Sequence, residues 1–498
     1  MSQLRLHPAL TRLDAARLRL DSPAQVPATL FARPDVPVEP EAVCEALAFL
    51  STQEDLARAG LGRIERLVLT PDFHRGSGIP VGTVARTQGC VLPRAVGSDV
   101  YCGMRLVALD ARGEELDAAL PRLAPPLREV FFGGRRDLPT SPAQREALLL
   151  GGLPALLGTS DNWERGSWRW LDVRRERADL ARAHFSGGIQ TSGLFVFADW
   201  VRGSGSTDGR DAQLGSIGGG NHFVEFQVVE EIFDGPTAES FGLRRGQVVV
   251  MVHSGSVGFG HAVGGHFADR ARALWPAGLP HPASGFYALG AETKEAREYL
   301  AALALAANFA FGNRLVLGLL AARALSEVLG RPVSSKLVSE APHNFVWSLP
   351  GGAFLHRKGA CPAPGPDLGD GPFAYTGWPV VVPGSMGAPS YVLAGQGSEE
   401  SMQSACHGAG RRLSRGQAAQ MTEEEFGQEI APLHVVTPLD AEAPATRLRR
   451  DVLAEHRRRL KEEAPRGYKD VGPVVQTIED ANIARRIARL GPRITVKG

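Results

Sequence analysis

Short β-branched runs and helical segments follow one another along this chain without the regular β-α-β alternation that a parallel sheet requires. The runs fall at residues 64–70, 105–110, 194–199, 223–229 and 247–253. Helical spacing covers 41–59, 142–158, 174–184, 292–329, 399–420 and 474–489. The pattern predicts an α+β fold rather than a doubly wound sheet. Residues 22–40 are proline-rich and read as extended, so residues 1–40 are expected to be an N-terminal lead-in and residues 41–498 one domain. Two stretches crowded with Gly, Pro, Ser or Asp, 202–215 and 362–372, read as loops, and neither makes a clean domain boundary. The residues with chemical potential run from position 99 to position 497. That spread predicts a single large domain, with mixed β-sheets and surrounding helices around one central site.

Composition narrows the function classes. A chain of 498 residues with 43% hydrophobic and 22% charged residues is that of a soluble globular protein. A formal net charge of +1 excludes a global basic field, so any nucleic-acid surface has to be local. Five cysteines, an odd count, argue against a disulfide framework and for a reducing compartment. Residues 1–19 alternate Leu with Arg, Asp and His and show no apolar signal core. The most apolar stretch, 301–322, is interrupted by Asn308, Asn313 and Arg314 and reads as a buried helix rather than a membrane span. The expectation is a cytoplasmic protein with no membrane partner.

One histidine stands out in Ser404-Ala405-Cys406-His407-Gly408-Ala409-Gly410-Arg411, twenty residues after the turn Pro383-Gly384-Ser385-Met386-Gly387. Neutral imidazole is a competent nucleophile near neutral pH, and small neighbours let backbone N–H groups approach a phosphate. Were His407 inside a helix, each glycine at 408 and 410 would cost about 1 kcal/mol relative to alanine, so ligand approach is the better reading. Four further motifs lie in Gly-rich turns or at the ends of β-like runs. They are Gly97-Ser98-Asp99-Val100-Tyr101-Cys102-Gly103-Met104, Gly220-Asn221-His222-Phe223-Val224-Glu225, Val252-His253-Ser254-Gly255-Ser256 and Ala341-Pro342-His343-Asn344-Phe345. Together they offer a carboxylate, a thiolate and three imidazoles, too many for one open catalytic ion and about right for two sharing a thiolate. Taken singly, each histidine is more often a hydrogen-bonded structural residue, and Cys102 more often a small buried hydrophobe. Ligand softness alone favours zinc over manganese.

The ordered set of motifs resembles the RtcB family of RNA-splicing ligases. It comprises Asp99 to Met104, Asn221 to Glu225, His253 to Ser256, His343 to Phe345, His356-Arg357-Lys358-Gly359-Ala360, Pro383 to Gly387 and His407 to Arg411, closed by Val496-Lys497-Gly498. The resemblance implies a GTP- and Mn²⁺-dependent ligase that joins an RNA 3′-phosphate or 2′,3′-cyclic phosphate end to a 5′-hydroxyl end. It implies two Mn²⁺ ions bridged by Cys102, with Asp99 and His222 completing one set of protein ligands and His253 and His343 the other. It makes His407 the nucleophile that carries GMP. It maps GMP recognition onto Asn221, His222, Phe223, Val224, Glu225, His343, Asn344, Pro383, Gly384, Ser385, Met386, Ser390, His407, Gly408, Ala409, Gly410, Tyr468 and Lys497. Glu225 would accept from guanine N1 and N2, Lys497 would meet O6 and N7, and Tyr468 would stack on the base. The cluster 356–360 is expected to meet RNA phosphates. His74 is expected near the site, and Arg411 is either a phosphate clamp or a salt-bridge donor.

Two positions depart from the family pattern. Val257 stands where the third motif usually has arginine, and Tyr101 where the first has glycine, which would narrow access near Cys102. Val257 keeps open a second reading, a two-metal phosphoesterase acting on RNA ends that has lost ligation; a third, a non-catalytic RNA-binding relative, is opposed by the intact His407, Cys102 and Lys497. The expected partners are RNA and GTP, and the sequence names no activating protein.

Overall fold

Short β-branched runs assemble into two large sheets in the computed structural model, which describes residues 6–161, 163–192, 214–368, 371–431 and 433–498. The first sheet has seven strands: β1 (Leu10–Arg12), β2 (Arg17–Leu20), β3 (Ala28–Phe31), β4 (Arg63–His74), β5 (Val81–Gln88), β13 (Ala353–Lys358) and β12 (Asn344–Leu349), neighbours in that order. All its pairings are antiparallel except β3 with β4. The second sheet runs β11 (Ser335–Pro342), β7 (Gly103–Arg112), β9 (Gln247–Ser254), β8 (Phe223–Ile232), β19 (Ala484–Val496), β16 (Ser390–Gly395) and β15 (Pro379–Val382). β18 (His434–Val436) pairs parallel to the end of β19. Two small ribbons complete the strands, β6 (Cys90–Val91) with β10 (Leu289–Gly290), and β14 (Ala360–Pro362) with β17 (Ser404–Cys406). The mixed sheets and surrounding helices are α+β, with the donor residues of the metal motifs gathered in the core.

Helices α1 (Pro40–Leu50) and α2 (Thr52–Ala59) pack their apolar faces on the first sheet. Helices α3 (Gly113–Phe131), α4 (Pro142–Gly158) and α5 (Val173–Asp179) precede β8 in the chain. Helix α6 (Gly235–Phe241) covers the second sheet's other face, and α7 (Val257–Ala273) follows β9. Helix α8 (Lys294–Leu329) is long and apolar enough to cross a membrane, yet 89% of its apolar window is buried against α3, α4 and the second sheet. It is the buried helix that the polar interruptions predict. Helix α9 (Arg450–Glu462) lies near the surface, and α10 (Val471–Asp480) packs on the first sheet.

Several expectations need correction. The 1–40 segment is no mere lead-in: it supplies β1, β2 and β3, and Leu18, Leu20, Leu30 and Phe31 are in the first sheet's core. The helix expected at 41–59 breaks at Ser51 into two. The one expected at 174–184 stops at Asp179 and tightens into a 3₁₀ turn. At 399–420 no long helix forms. Met402 and Gln403 both adopt positive φ, and the chain then extends into β17, with only Arg415–Ala418 helical. At 474–489 the helix ends at Asp480, because Asn482 turns the chain at φ 51° into β19. The run expected at 194–199 and most of the loop at 202–215 lie outside the described residues. The loop expected at 362–372 begins at the end of β14 and includes a 3₁₀ turn, Pro366–Leu368.

Candidate functional site

Antiparallel pairing brings alternate starts and ends of strands to the same end of a sheet. In the second sheet, Cys102 immediately precedes β7, His222 precedes β8, His253 lies near the end of β9, and His343 follows β11. The register fixes this: His253 pairs with both Met104 and Phe223, and Pro342 with Gly103. Val496, at the end of β19, pairs with Val224, which brings Lys497 to the same edge. Five neighbouring strands thus deliver their chemistry to one place.

The donor atoms form two groups that share Cys102: Asp99, Cys102 and His222, and Cys102, His253 and His343. Cys102 Sγ is 3.1 Å from His222 Nε2 and 3.3 Å from His253 Nε2. His222 Nε2 is 2.8 Å from Asp99 Oδ2, and the Nε2 atoms of His253 and His343 are 3.3 Å apart. The other ring nitrogens explain these contacts. His222 Nδ1 faces the Ile217 carbonyl at 3.0 Å and His253 Nδ1 the Asn221 carbonyl at 3.1 Å. A carbonyl only accepts, so each Nδ1 carries the proton and each Nε2 turns a lone pair inward. Burial first, then neighbouring histidines, pushes His253 and His343 well below the usual imidazole range, so both stay neutral. Burial and then Asp99 push the Cys102 thiol well above its ordinary value. Asp99 Oδ1 and His343 Nδ1 are buried without a hydrogen-bond partner. Lone pairs facing lone pairs, beside an orphaned carboxylate oxygen, fit a bound cation, and the donor set suits a divalent transition metal.

His407 follows β17, with its ring centroid 4.6 Å from that of His343. Its Nδ1–H points at Asp72 Oδ2, 2.6 Å away, and at the Gly359 carbonyl, 2.8 Å away. Nε2 is thereby left as the free lone pair. Burial raises the Asp72 carboxyl, but His407, Thr70 and His74 outweigh it and hold the group below its usual value. Asp72 lies two residues before His74, yet the sequence analysis assigns it no role; an acidic residue inside an apolar β-run is the available signal. Gly410 is required for packing rather than for ligand approach: at φ 77°, its Cβ would fall 2.1 Å from the Asp72 carbonyl. His407 is in no helix, so the helix-cost argument for the glycines lapses.

His407 and His253 open onto a cavity of about 580 Å³. Of the residues mapped to GMP, Asn221, Phe223, Glu225, Pro383, Gly384, Ser385, Met386, Gly408, Ala409, Gly410, Tyr468 and Lys497 also line it. Others sit behind the wall. The Val224 side chain is in the hydrophobic core. Ser390 Oγ accepts from Gln227 and from the Gly384 N–H. Asn344 ties the Asp99 carbonyl to the Gly359 N–H. Burial lifts the Glu225 carboxyl to about 7, against the lowering effect of Gln227, Thr495 and Lys497. Burial lowers the Lys497 ammonium, with Glu463 and Glu225 opposing. Arg411 pairs with Glu463 at 3.3 Å and lies over the Tyr468 ring at 4.8 Å, so its salt-bridge reading holds here.

The 356–358 cluster is not a solvated basic face. His356, Arg357 and Lys358 are buried in β13. Arg357 stacks over Trp347 and bonds Ser404 Oγ, while Lys358 and His74 reach the cavity. Tyr101 does not narrow the site: at φ 60° its ring packs between Phe311 and Phe345. Val257 starts α7 at φ 51°, a strained conformation for a β-branched residue.

Two buried residues that sequence reasoning treated only as interruptions of α8 brace the donors. Arg314 donates to the carbonyls of Tyr101 (2.9 Å) and Ser254 (3.0 Å) and pairs with Glu340 at 2.7 Å. Asn313 bonds Ser254 Oγ and the Gly255 carbonyl and accepts from the N–H groups of Gly215 and Ser216.

The sequence profile of the family described as tRNA-splicing ligase RtcB matches residues 57–498. The chain belongs to the RtcB family. It is 30% identical to the tRNA-splicing ligase RtcB of Thermococcus kodakarensis over 98% of this chain and 99% of that protein. It is 34% identical to the RNA-splicing ligase RtcB of Mycobacterium tuberculosis, over 86% and 96% respectively. Against the tRNA-splicing ligase RtcB of Pyrobaculum aerophilum it is 32% identical, over 86% and 87%. RtcB membership supports an enzyme that ligates RNA, and the RtcB motifs quoted from the sequence are the segments that meet around this cavity.

Proposed function

We propose that this chain joins an RNA 3′-phosphate or 2′,3′-cyclic phosphate end to a 5′-hydroxyl end, using GTP and Mn²⁺ and a GMP–His407 intermediate. The observation that carries the reading is the fixed tautomer of His407, whose Nε2 lone pair opens onto a cavity that also holds Glu225 and Lys497. Asp99, Cys102 and His222 would hold one Mn²⁺, and Cys102, His253 and His343 the other. Bound there, the ions would stabilise negative charge on transferring phosphoryl oxygens.

The chain's own groups supply the rest. His407 Nε2 attacks the α-phosphorus of GTP and pyrophosphate leaves, giving a phosphoramidate. Asp72 holds the Nδ1 proton and offsets the positive charge that develops on the ring. Glu225 and Lys497 orient the guanine. A cyclic end is first hydrolysed, water adding to phosphorus and the P–O2′ bond breaking to free the 2′-hydroxyl; the RNA 3′-phosphate oxygen then takes GMP from His407, which turns a poor leaving group into an anhydride. The 5′-hydroxyl attacks that activated phosphorus, forms the phosphodiester and releases GMP. Val257, in place of an expected arginine, favours a second reading, a phosphoesterase that kept the donor set and lost ligation.

The test is incubation with α-labelled GTP and Mn²⁺, with His407→Ala as control. Acid-labile label that depends on His407 supports the ligase. Absence of label, together with hydrolysis of a cyclic-phosphate end, supports the phosphoesterase.

A further inference from the structure

The cations lining the cavity fall into two groups with different partners. Beside Tyr468 and Lys497, Arg411 and Arg415 both pair with Glu463, at 3.3 and 3.4 Å, so their charge is compensated. Arg75, Arg94 and Lys358 line the same cavity. Among the described residues, no carboxylate forms an ion pair with any of these three. Arg94 is exposed but not loose: Nη1–H donates to the Gly285 carbonyl at 2.9 Å, and the guanidinium lies 5.6 Å from the Phe286 ring centroid. Lys358 is buried, and its Nζ donates to the Ile79 carbonyl at 2.7 Å. Glu45, whose field Lys358 feels, accepts from the N–H groups of Gly76 and Gly78 at 2.7 Å each. Lys358 immediately precedes Gly359, whose carbonyl fixes His407 Nδ1, so this cation group begins beside the nucleophile. Arg75 and Arg94 carry it outward to exposed positions. Part of the cavity wall comes from α7, where Gly264 and Gly265 line it. A Cβ on Gly265 would meet nothing within 4 Å, so the backbone there is open to a passing chain.

We propose that Lys358, Arg94 and Arg75 form a phosphate-binding track that leads the backbone of a single-stranded RNA end along α7 to His407. The inference rests on the ligase reading for the identity of the polyanion. A row of cations without ion-pair partners among the described residues, running from a buried nucleophile to the rim, fits a polymer that must leave the cavity. A mononucleotide would be held wholly inside. In a chain of net charge +1, such a local row is what would draw in a polyanion. The track also gives the chain a cationic contact for RNA where Val257 supplies none.

The test uses the full-length protein and a short fluorescein-labelled single-stranded RNA ending in a 3′-phosphate, with affinity read by anisotropy across a salt series. Arg75→Ala with Arg94→Ala is compared with a charge-matched control, Arg19→Ala with Arg449→Ala, whose arginines sit in exposed ion pairs with near neighbours. A single-strand contact contributes about 0.7 to the slope of log K against log salt, so the track variant is expected to lose about 1.4 in slope and bind several-fold more weakly. Gly265→Phe, placed where an added Cβ meets nothing within 4 Å, is expected to weaken RNA binding as well. RNA affinity and slope equal to the control overturn the track, as does undiminished affinity in Gly265→Phe. Weakened binding of a fluorescent GTP analogue with unchanged RNA affinity also overturns it, by assigning the cations to the triphosphate. Failure of the wild type to label His407 would sink the ligase reading instead, and is scored separately from these affinities.

Discussion

Asp72 decides whether His407 can act. With Nδ1–H held by Asp72 and Gly359, Nε2 is left with the lone pair, and in the proposed reaction it is the atom that attacks GTP. Asp72→Asn keeps the shape, but the amide can turn its NH₂ toward Nδ1 and favour the wrong tautomer. GMP labelling of His407 is expected to slow by roughly 10²- to 10⁴-fold, read as the initial rate with α-labelled GTP. Glu225 gives a pH signature. Its carboxyl titrates at about 7 because burial disfavours the charged form. Below that pH it is protonated, and above it the carboxylate can accept from guanine N–H groups. GTP affinity is therefore expected to rise as pH increases through about 7, with the step missing in Glu225→Gln. A fluorescent GTP analogue titrated on either side of neutrality checks this.

Among the elements, α8 matters beyond its apolar area. Arg314 and Asn313 reach the backbone that flanks Cys102 and His253 and the segment before His222. Arg314→Met removes one partner of the buried Glu340 and leaves two carbonyls without a donor. Arg105 still pairs with Glu340 at 2.6 Å, so the expected loss is about 3 kcal/mol, the low end for a broken buried pair, measured by urea denaturation. Elements of this kind were only half legible in the sequence. Short β-branched runs locate β4, β7, β8 and β9, and an apolar run with Asn and Arg inside it marks α8 as buried, because a helix in lipid would not carry those groups. Helical spacing is expected over β17 and over the first six residues of β19. Ser404–Cys406 is too short to show a period, and Ala484, Ile487 and Ala488 keep helical spacing, so the outcome is set by left-handed turns at Met402, Gln403 and Asn482, positions with no glycine to announce them. The donor residues were legible as motifs, but their convergence depends on strand order, and Asp72 meets His407 across 335 positions. No local pattern encodes that contact.

At the scale of the whole molecule, the donors from Asp99 to His343 come together only when β11, β7, β9 and β8 lie side by side. An ion that binds this arrangement binds the native state alone. Mn²⁺ at a hundredfold excess over its Kd is therefore expected to raise stability by about 2.7 kcal/mol per site, seen as a metal-dependent shift in melting temperature. His343→Ala is expected to reduce that shift. The same strand order carries a consequence for synthesis. β19 occupies residues 484–496 yet sits between β8 and β16 in the middle of the second sheet. While the ribosome is still translating, β8 waits more than 250 positions for its neighbour, its N–H and C=O groups unpaired along one side. A nascent chain of this protein therefore carries an open sheet edge for about half of its synthesis, and it is there that a chaperone would be needed.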